Sequence, residues 1–186
     1  MERIAHMLLS YGADHNGADG IDTALHLASN NGYKKFIERL LKLGANVHAV
    51  NSLEQTPLHV ASENVVQVLL NAGANLEAKT KAGITPLLYA SRTAKLDTIR
   101  VLVSSRADIL AQTEKGSNAL HLALKSRYDN VKLITQIVEF LLDNGAEAAK
   151  ADKRGSTPLH SACAVGNVAA AKLLIKKGVN IHAQNV

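Results

Sequence analysis

The chain has 186 residues and a formal net charge of +5, with 47 % hydrophobic residues, only 3 % aromatic residues and no tryptophan. This composition excludes an aromatic-cored globule and favours helices packed through Leu, Ala and Val. A single cysteine, Cys163, excludes an internal disulfide framework, and neither a signal peptide nor a membrane-spanning stretch of roughly 20 apolar residues is present, so we expect a cytoplasmic or nuclear protein.

One short phrase recurs along the chain and predicts where helices begin. It starts with Thr or Asn at positions 23, 56, 85, 118 and 157, so successive steps are 33, 29, 33 and 39 residues. Thr and Asn cap helix N-termini, and proline just after the cap costs nothing because its missing N–H lies in the first turn. A second phrase, an apolar pair followed by two residues and Gly as at residues 40–44, predicts a helix end. Each unit therefore contains two helices.

The combination of these phrases resembles a known repeat. A unit of about 33 residues that opens with Thr-Pro-Leu-His-x-Ala and closes with Leu-Leu-x-x-Gly-Ala resembles the ankyrin repeat. The resemblance covers essentially the whole chain and implies an all-α repeat solenoid of antiparallel helix pairs with short β-hairpin or turn fingers. It also implies that the motif histidines are structural hydrogen-bonding residues. No 33-residue unit buries a core alone, so neighbouring units must supply it.

In chain order, the pattern predicts one solenoid domain over residues 1–186. Residues 1–17 are a partial repeat that supplies only a second helix. Five repeats follow at about 18–50, 51–79, 80–112, 113–151 and 152–184, and a further finger starts at 185–186. Neither end resembles the polar cap of a complete solenoid, so we interpret the chain as a piece of a longer array.

The second and third repeats depart from the pattern. The second lacks four residues between Ser62 and Glu63, where two antiparallel helices need a turn. We expect either unwound helix ends there or four residues missing from the sequence. In the third repeat Leu88 replaces the motif His, and Arg106 replaces the closing Gly. A left-handed Arg costs about 1 kcal/mol, so we expect this repeat to be the least stable.

The first and fourth repeats differ in the connection between their helices. In the first, Asn30-Asn31-Gly32 is predicted as the turn. The fourth has six extra residues between His121 and Leu141. The apolar spacing over 129–142 predicts a lengthened second helix that is capped by Asp129 or Asn130 and projects from the stack.

Histidine and cysteine do not predict a catalytic or metal site. His26, His59, His121 and His160 occur once per unit, so stacking places them about 10 Å apart, too far to share an ion with bonds of about 2 Å. Cys163 follows His160 by three residues, a conceivable spacing for a nucleophile and its base. We interpret it instead as a half-buried thiol on a helix packed on both sides. We therefore expect no enzyme activity, no metal and no cofactor.

The family resemblance implies that partners bind the concave side, built from finger tips and the exposed edge of the first helices. The matching residues, with the start of the insertion, are Asp22, Asn30, Asn31, Tyr33, Leu53, Gln55, Lys81, Arg92, Thr93, Lys115, Lys125, Ser126, Arg127, Tyr128, Lys153 and Arg154. Residues 94–186 hold 13 basic and 8 acidic side chains, against 8 and 8 in residues 1–93. We therefore expect a monomeric scaffold that binds an acidic protein or peptide rather than nucleic acid.

Two alternative functions stay open. In the first, the chain is the regulatory or targeting array of a multidomain enzyme, channel or secreted effector. In the second, it is the substrate of a modifying enzyme, because intracellular arrays that it resembles are hydroxylated at a finger asparagine, a place matched by Asn16.

Overall fold

A computed structural model describes residues 22–185, and over this range the chain forms ten helices joined by turns, with no β-strand. The helices come in five pairs. In chain order the pairs are α1 (Ala24–Asn31) and α2 (Lys34–Lys42), α3 (Pro57–Val60) and α4 (Glu63–Asn71), α5 (Pro86–Arg92) and α6 (Leu96–Ser104), α7 (Ala119–Leu124) and α8 (Val131–Asp143), α9 (Pro158–Ala164) and α10 (Val168–Lys176). The predicted all-α array is confirmed, whereas the partial repeat at 1–17 lies outside the described residues.

The helices stack in two layers. Each first helix packs on the first helices of neighbouring repeats, each second helix packs on neighbouring second helices, and the two helices of a pair pack together. The largest fully buried side chains occur in both layers: Leu25, Ile37, Leu40, Leu58, Leu69, Leu87, Leu88, Ile99, Leu102, Leu120, Ile137 and Leu141. They belong to one core that runs along the stack, because each pair excludes water only with its neighbours in place.

A five-residue turn, here called a finger, precedes each first helix from the second repeat onward. The four described fingers are residues 51–55, 80–84, 113–117 and 152–156, each closed by backbone hydrogen bonding between its first and fifth residues. Neighbouring fingers are also joined: the Glu114 N–H donates to the Ala82 carbonyl (2.9 Å) and the Lys153 N–H to the Lys115 carbonyl (3.0 Å). A Cβ on Gly83 would lie 2.8 Å from the Glu114 nitrogen. Glycine therefore permits this close approach between fingers.

The motif histidine of the first repeat joins that repeat to the next finger. The Thr23 backbone N–H donates to Nδ1 of His26 (3.3 Å), and Nε2 lies 2.7 Å from the Gln55 carbonyl. Because Nδ1 accepts a backbone proton, the ring proton is on Nε2, which donates to Gln55. The Thr23 hydroxyl accepts the His26 N–H and so caps α1.

Two further repeats use the same device. His59 Nδ1 accepts the Thr56 N–H (3.0 Å), and its Nε2 lies 3.0 Å from the Ile84 carbonyl. His121 Nε2 lies 2.8 Å from the Ser156 carbonyl. The expected structural role of these histidines is confirmed. In the third repeat Leu88 is fully buried at the corresponding position, so its side chain offers no hydrogen bond to the next finger.

The four-residue loss in the second repeat shortens α3 to one turn. The helix ends at Val60, and residues 61–62 are extended before α4 begins. Of the two alternatives expected from the sequence, the structure therefore shows unwound helix ends. Lys95 of the third repeat reaches into the gap, where its Nζ donates to the Val60 carbonyl (2.8 Å) and to Asn30 Oδ1 (3.1 Å). Burial lowers the pKa of this amine. Lys95 therefore supplies a donor to a helix-end carbonyl of the kind that lacks an intrahelical partner.

The other helix ends follow the predictions with one adjustment. Asn30 and Asn31 still belong to α1, and Gly32 alone adopts the left-handed conformation after it (φ 71°), because the helix continues as far as a residue that can reverse the chain. Arg106 keeps the left-handed backbone of the glycine that it replaces (φ 69°).

The lengthened helix of the fourth repeat is confirmed. Helix α8 has 13 residues, whereas α2, α4, α6 and α10 have nine each. Its cap is Asn130, whose side chain accepts the Leu133 N–H at 3.0 Å. Residues 127–132 are all exposed, so the additional turn extends beyond the neighbouring repeats.

Replacing Arg106 with glycine is expected to raise the free energy of unfolding by about 1 kcal/mol, because glycine adopts a positive φ without the penalty paid by a Cβ. Arg106→Ala is the control, since it removes the same side chain and keeps the penalty. Urea denaturation followed by circular dichroism measures the difference, and equal stability of the two variants would contradict the explanation.

Replacing Lys95 with methionine is expected to lower the free energy of unfolding by about 1–3 kcal/mol, because the Val60 carbonyl loses its donor. Lys35→Met, at an exposed position of α2, provides the matched control. The same denaturation measurement applies. The bridging role would be wrong if both variants lost equal stability.

Acidification is expected to destabilise the array. Burial lowers the pKa of His26, His59 and His121 below the usual 6.5. As the pH drops below about 6.5, these histidines bind protons more readily in the unfolded chain than in the folded chain. The free energy of unfolding is therefore greatest above about pH 6.5 and falls as the pH drops toward the pKa values of the folded state. The urea midpoint should therefore be lower at about pH 5.5 than at about pH 7.5.

The difference between the two midpoints should shrink in His59→Gln and persist in His48→Gln, which changes an exposed histidine. A midpoint that stays constant or rises on acidification would refute the linkage.

Candidate partner-binding surface

Most of the predicted partner-binding side chains are exposed. These are Asp22, Asn30, Asn31, Leu53, Lys81, Arg92, Lys115, Lys125, Arg127, Tyr128, Lys153 and Arg154. Tyr33, Thr93 and Ser126 are half-buried. Gln55 is only 5 % exposed, and its Oε1 accepts a hydrogen bond from the Asn51 amide. The base of the finger uses this side chain internally, and Gln55 also lines the groove described below, so its role as a partner contact stays a prediction.

Several predicted contact residues near the ends of first helices are engaged by the fold itself. Asn31 donates to the Leu27 carbonyl (2.8 Å) and the Thr93 hydroxyl to the Tyr89 carbonyl (2.9 Å). Tyr33 packs against the core. The Tyr89 carbonyl also accepts the Thr93 backbone N–H (3.0 Å), so these side chains add hydrogen bonds within the last turn and are partly engaged by the fold.

The positive charge of Lys81, in the finger at 80–84, is neutralised by an ion pair. Lys81 Nζ lies 2.9 Å from Glu54 Oε1, and this hydrogen bond raises the pKa of the lysine. The pair joins the fingers at 51–55 and 80–84. Lys81 is therefore not a free cation for a partner.

Lys125 is also paired, but more loosely. Its Nζ lies 3.8 Å from Asp152 Oδ2. Although burial opposes the change, hydrogen bonds from the N–H groups of Arg154 and Ser156, with the charges of His121 and Lys125, lower the pKa of Asp152. The Asp152 carboxylate therefore contacts both the backbone of its own finger and Lys125.

Unpaired positive charge collects at the far end of the row. Lys115, Lys153 and Arg154 are exposed, and within residues 22–185 none of them forms an ion pair. The backbone hydrogen bond from Lys153 to Lys115 holds two adjacent fingers together. These three residues are called the basic finger end below.

A groove lies between the fingers at 51–55 and 80–84. It has a volume of about 320 Å³, and its lining includes Leu53, Ile84 and Arg92. Leu53 is 66 % exposed. The Arg92 guanidinium lies 5.0 Å from the ring centre of Tyr89, a cation–π distance that orients the side chain. This arrangement brings four of the predicted contacts to one place: Leu53, Gln55, Lys81 and Arg92.

A second groove, here called the insertion groove, is formed by the six additional residues of the fourth repeat. It includes Ser126, Arg127 and Tyr128, as well as Val131 and Val165. Sequence reasoning did not select the two valines. The signal for Val131 was an apolar residue at the start of a helical turn that no neighbouring repeat is long enough to cover. Val165 had no comparable signal.

Cys163 is exposed, so its interpretation as a half-buried thiol is wrong. The corresponding positions in three other repeats, Ser29, Ser91 and Leu124, are buried. Each of them is covered by a following repeat, and within residues 22–185 no helix packs on the far side of α9.

The remaining sequence-based hypotheses concern a metal site, a modified asparagine and a membrane-spanning helix. Within residues 22–185 no three side chains of His, Cys, Asp or Glu come together as a metal site would require. Asn16, the candidate for modification, lies outside the described residues. No helix over that same range combines the length and apolarity needed to cross a membrane.

Comparisons with known proteins agree with the repeat architecture. A family model described as ankyrin repeats (3 copies) matches residues 1–80, 62–136 and 134–185. Neurogenic locus notch homolog protein 1 of Homo sapiens is 33 % identical over 151 residues, which is 78 % of this chain and 6 % of that protein. Nuclear factor NF-kappa-B p105 subunit of Gallus gallus is 29 % identical over 175 residues, 90 % of this chain and 17 % of that protein.

A third relative is a transient receptor potential cation channel subfamily A member 1 homolog of Caenorhabditis elegans. It is 29 % identical over 164 residues, which is 88 % of this chain and 11 % of the channel homolog. The chain therefore spans between 6 % and 17 % of the length of these three relatives.

Proposed function

The chain belongs to the ankyrin-repeat family, and from that premise we propose that it binds a partner protein or peptide and catalyses no reaction itself. The proposed binding face is the finger surface, which comprises the exposed side chains of the fingers and of the C-terminal ends of α5 and α7. Ankyrin repeats are generally protein-interaction modules, and a row of fingers on a rigid stack presents side chains at fixed spacing.

The observation that carries the proposal is the basic finger end. Lys115, Lys153 and Arg154 are held on neighbouring fingers that are hydrogen bonded to each other, and they have no ion-pair partner within the described residues. Cations on one face raise the association rate of an anionic partner and disfavour cationic ones. The partner is therefore an acidic segment of a protein.

Nucleic acid is a weaker fit to the same surface. Proteins that bind single strands combine a positive groove with aromatic side chains on which bases stack. Aromatic residues make up 3 % of the chain, and within residues 22–185 Tyr128 is the one aromatic among the exposed large hydrophobic side chains.

We extend the proposal to the larger protein that contains this array, to its oligomeric state and to its compartment. The relatives carry a matching region as a small part of much longer chains, which supports the alternative that this array is the interaction module of a larger protein. Like charge at the basic finger end opposes self-association through that surface, so the array acts as a monomer. The single cysteine fits a reducing compartment, cytoplasmic or nuclear.

Reversal of the basic finger end tests the function. The triple variant Lys115→Glu, Lys153→Glu, Arg154→Glu is expected to lose the acidic proteins that the unmodified chain captures from a cell lysate, as measured by quantitative mass spectrometry. The control, Lys34→Glu, Lys35→Glu, Lys42→Glu, makes the same change in net charge at exposed positions of α2 and should retain them.

Raising the salt concentration should weaken capture by the unmodified chain, because exposed charges are screened. Equal capture by the two triple variants would refute the proposed binding surface.

A further inference from the structure

We propose that the insertion groove is an anchor site for one apolar side chain of the acidic partner segment. This inference rests on the proposed function and adds a requirement to it. The partner must carry an apolar residue beside its acidic residues, placed so that both parts reach the fourth and fifth repeats together.

The groove exists because the fourth repeat is longer than its neighbours. Helix α8 has four more residues than the other second helices, and the added turn contributes Val131 and Ile134 to one wall. The turn between α9 and α10 contributes Val165 to the other wall. Leu124 and Ile134 are buried, so the groove opens directly onto the core.

Exposed apolar side chains collect at this groove. Tyr128 is 58 % exposed, Val131 51 % and Val165 50 %, and all three line the same cleft. They come from a loop, a helix start and a turn of two different repeats. Covering them removes apolar surface from water, which favours binding in proportion to the area covered.

The size of the groove selects a single side chain. Its volume is about 170 Å³, whereas pockets for drug-sized molecules run to about 300–1,000 Å³. A lone branched or aromatic residue of a peptide matches this space better than a cofactor or metabolite.

Hydrogen bonds hold the two walls in place before a partner arrives. The Thr135 hydroxyl in α8 lies 2.7 Å from the Val131 carbonyl and 3.1 Å from Asn167 Oδ1, and this Asn167 oxygen accepts the Ala170 N–H at the start of α10 (3.0 Å). In the loop, the Tyr128 N–H donates to the Ser126 hydroxyl (3.3 Å). A preformed site loses less conformational entropy on binding.

Charge identifies the occupant as part of an acidic segment. Arg127 lines the groove together with Asp129, and Lys125, which lies between the lining residues Leu124 and Ser126, is 3.8 Å from Asp152 of the finger at 152–156. That finger carries two of the three cations of the basic finger end. Lys125 therefore links the groove to the finger that carries Lys153 and Arg154.

A second copy of this chain is a poor occupant. The net charge is +5, and residues 94–186 carry all of it, with 13 basic and 8 acidic side chains. A copy would have to bring a near-neutral or basic surface against the basic finger end. An acidic peptide gains from the same cations.

Peptide phage display provides the test. A random library of peptides about 16 residues long is selected against the complete chain and against three variants of it. The unmodified chain is expected to enrich acidic peptides that share one apolar position, and a Leu at this position should bind about tenfold tighter than Ala, since burying the larger side chain is worth more than 1 kcal/mol.

The first variant, Val131→Glu with Val165→Glu, changes half-exposed residues of the groove and should lose the apolar preference while keeping the acidic one. The control, Val168→Glu, places one glutamate on a 64 % exposed valine outside the lining and should keep both preferences. The third variant, Lys153→Glu with Arg154→Glu, should lose the acidic preference.

The outcomes separate the two proposals. Acidic peptides without a shared apolar position, or an apolar preference that survives the groove variant, would overturn the anchor site and leave the basic finger end intact. Enrichment that shows no acidic preference, or no enrichment at all, would overturn the proposed function together with this inference. Binding of the unmodified chain to itself in sedimentation would identify a second copy as the occupant and also overturn it.

Discussion

The hydrogen bond between a motif histidine and the carbonyl of the next finger determines how one helix pair sits on another. A pair of short helices cannot exclude water alone, and apolar packing by itself tolerates sliding. The directional bonds from His26 to Gln55 and from His59 to Ile84 remove that freedom. Burial lowers the pKa of these rings, so the hydrogen bond that sets the register also makes the stack sensitive to acid. The spacing of the fingers, and hence of the surface charges, follows from this constraint.

The irregular repeats show which changes a stack absorbs and which it exposes. Loss of a turn in the second repeat leaves a carbonyl that Lys95 of another repeat can reach, so the defect is closed internally. The gain of a turn in the fourth repeat has no such remedy, because the neighbouring second helices are four residues shorter. Its apolar side chains stay accessible to solvent. In this stack the site of the deletion is covered by another repeat, whereas the insertion leaves apolar surface that a partner can contact.

Local sequence predicted the helices, their caps and the histidine role, because each depends on residues a few positions apart. The same holds for the left-handed Arg106 and the lengthened α8. Predictions that depended on packing between distant residues were less accurate. Cys163 is exposed because no described first helix packs on the far side of α9. The pairing of Lys81 with Glu54, and the meeting of Val131 with Val165, arise only when repeats stack. Sequence counts charges but does not show which of them cancel.

Lys95 also affects how the array loses its structure. In most solenoids each repeat touches only its two neighbours, so stability is a sum of single-repeat and nearest-neighbour terms. The bond from Lys95 to Asn30 spans from the third repeat to the first, and it adds a term that skips one unit. Fraying at this end cannot then proceed one repeat at a time without breaking a bond held two repeats away. Lys95 therefore couples the first and third repeats directly, in addition to the contacts that each makes with the second.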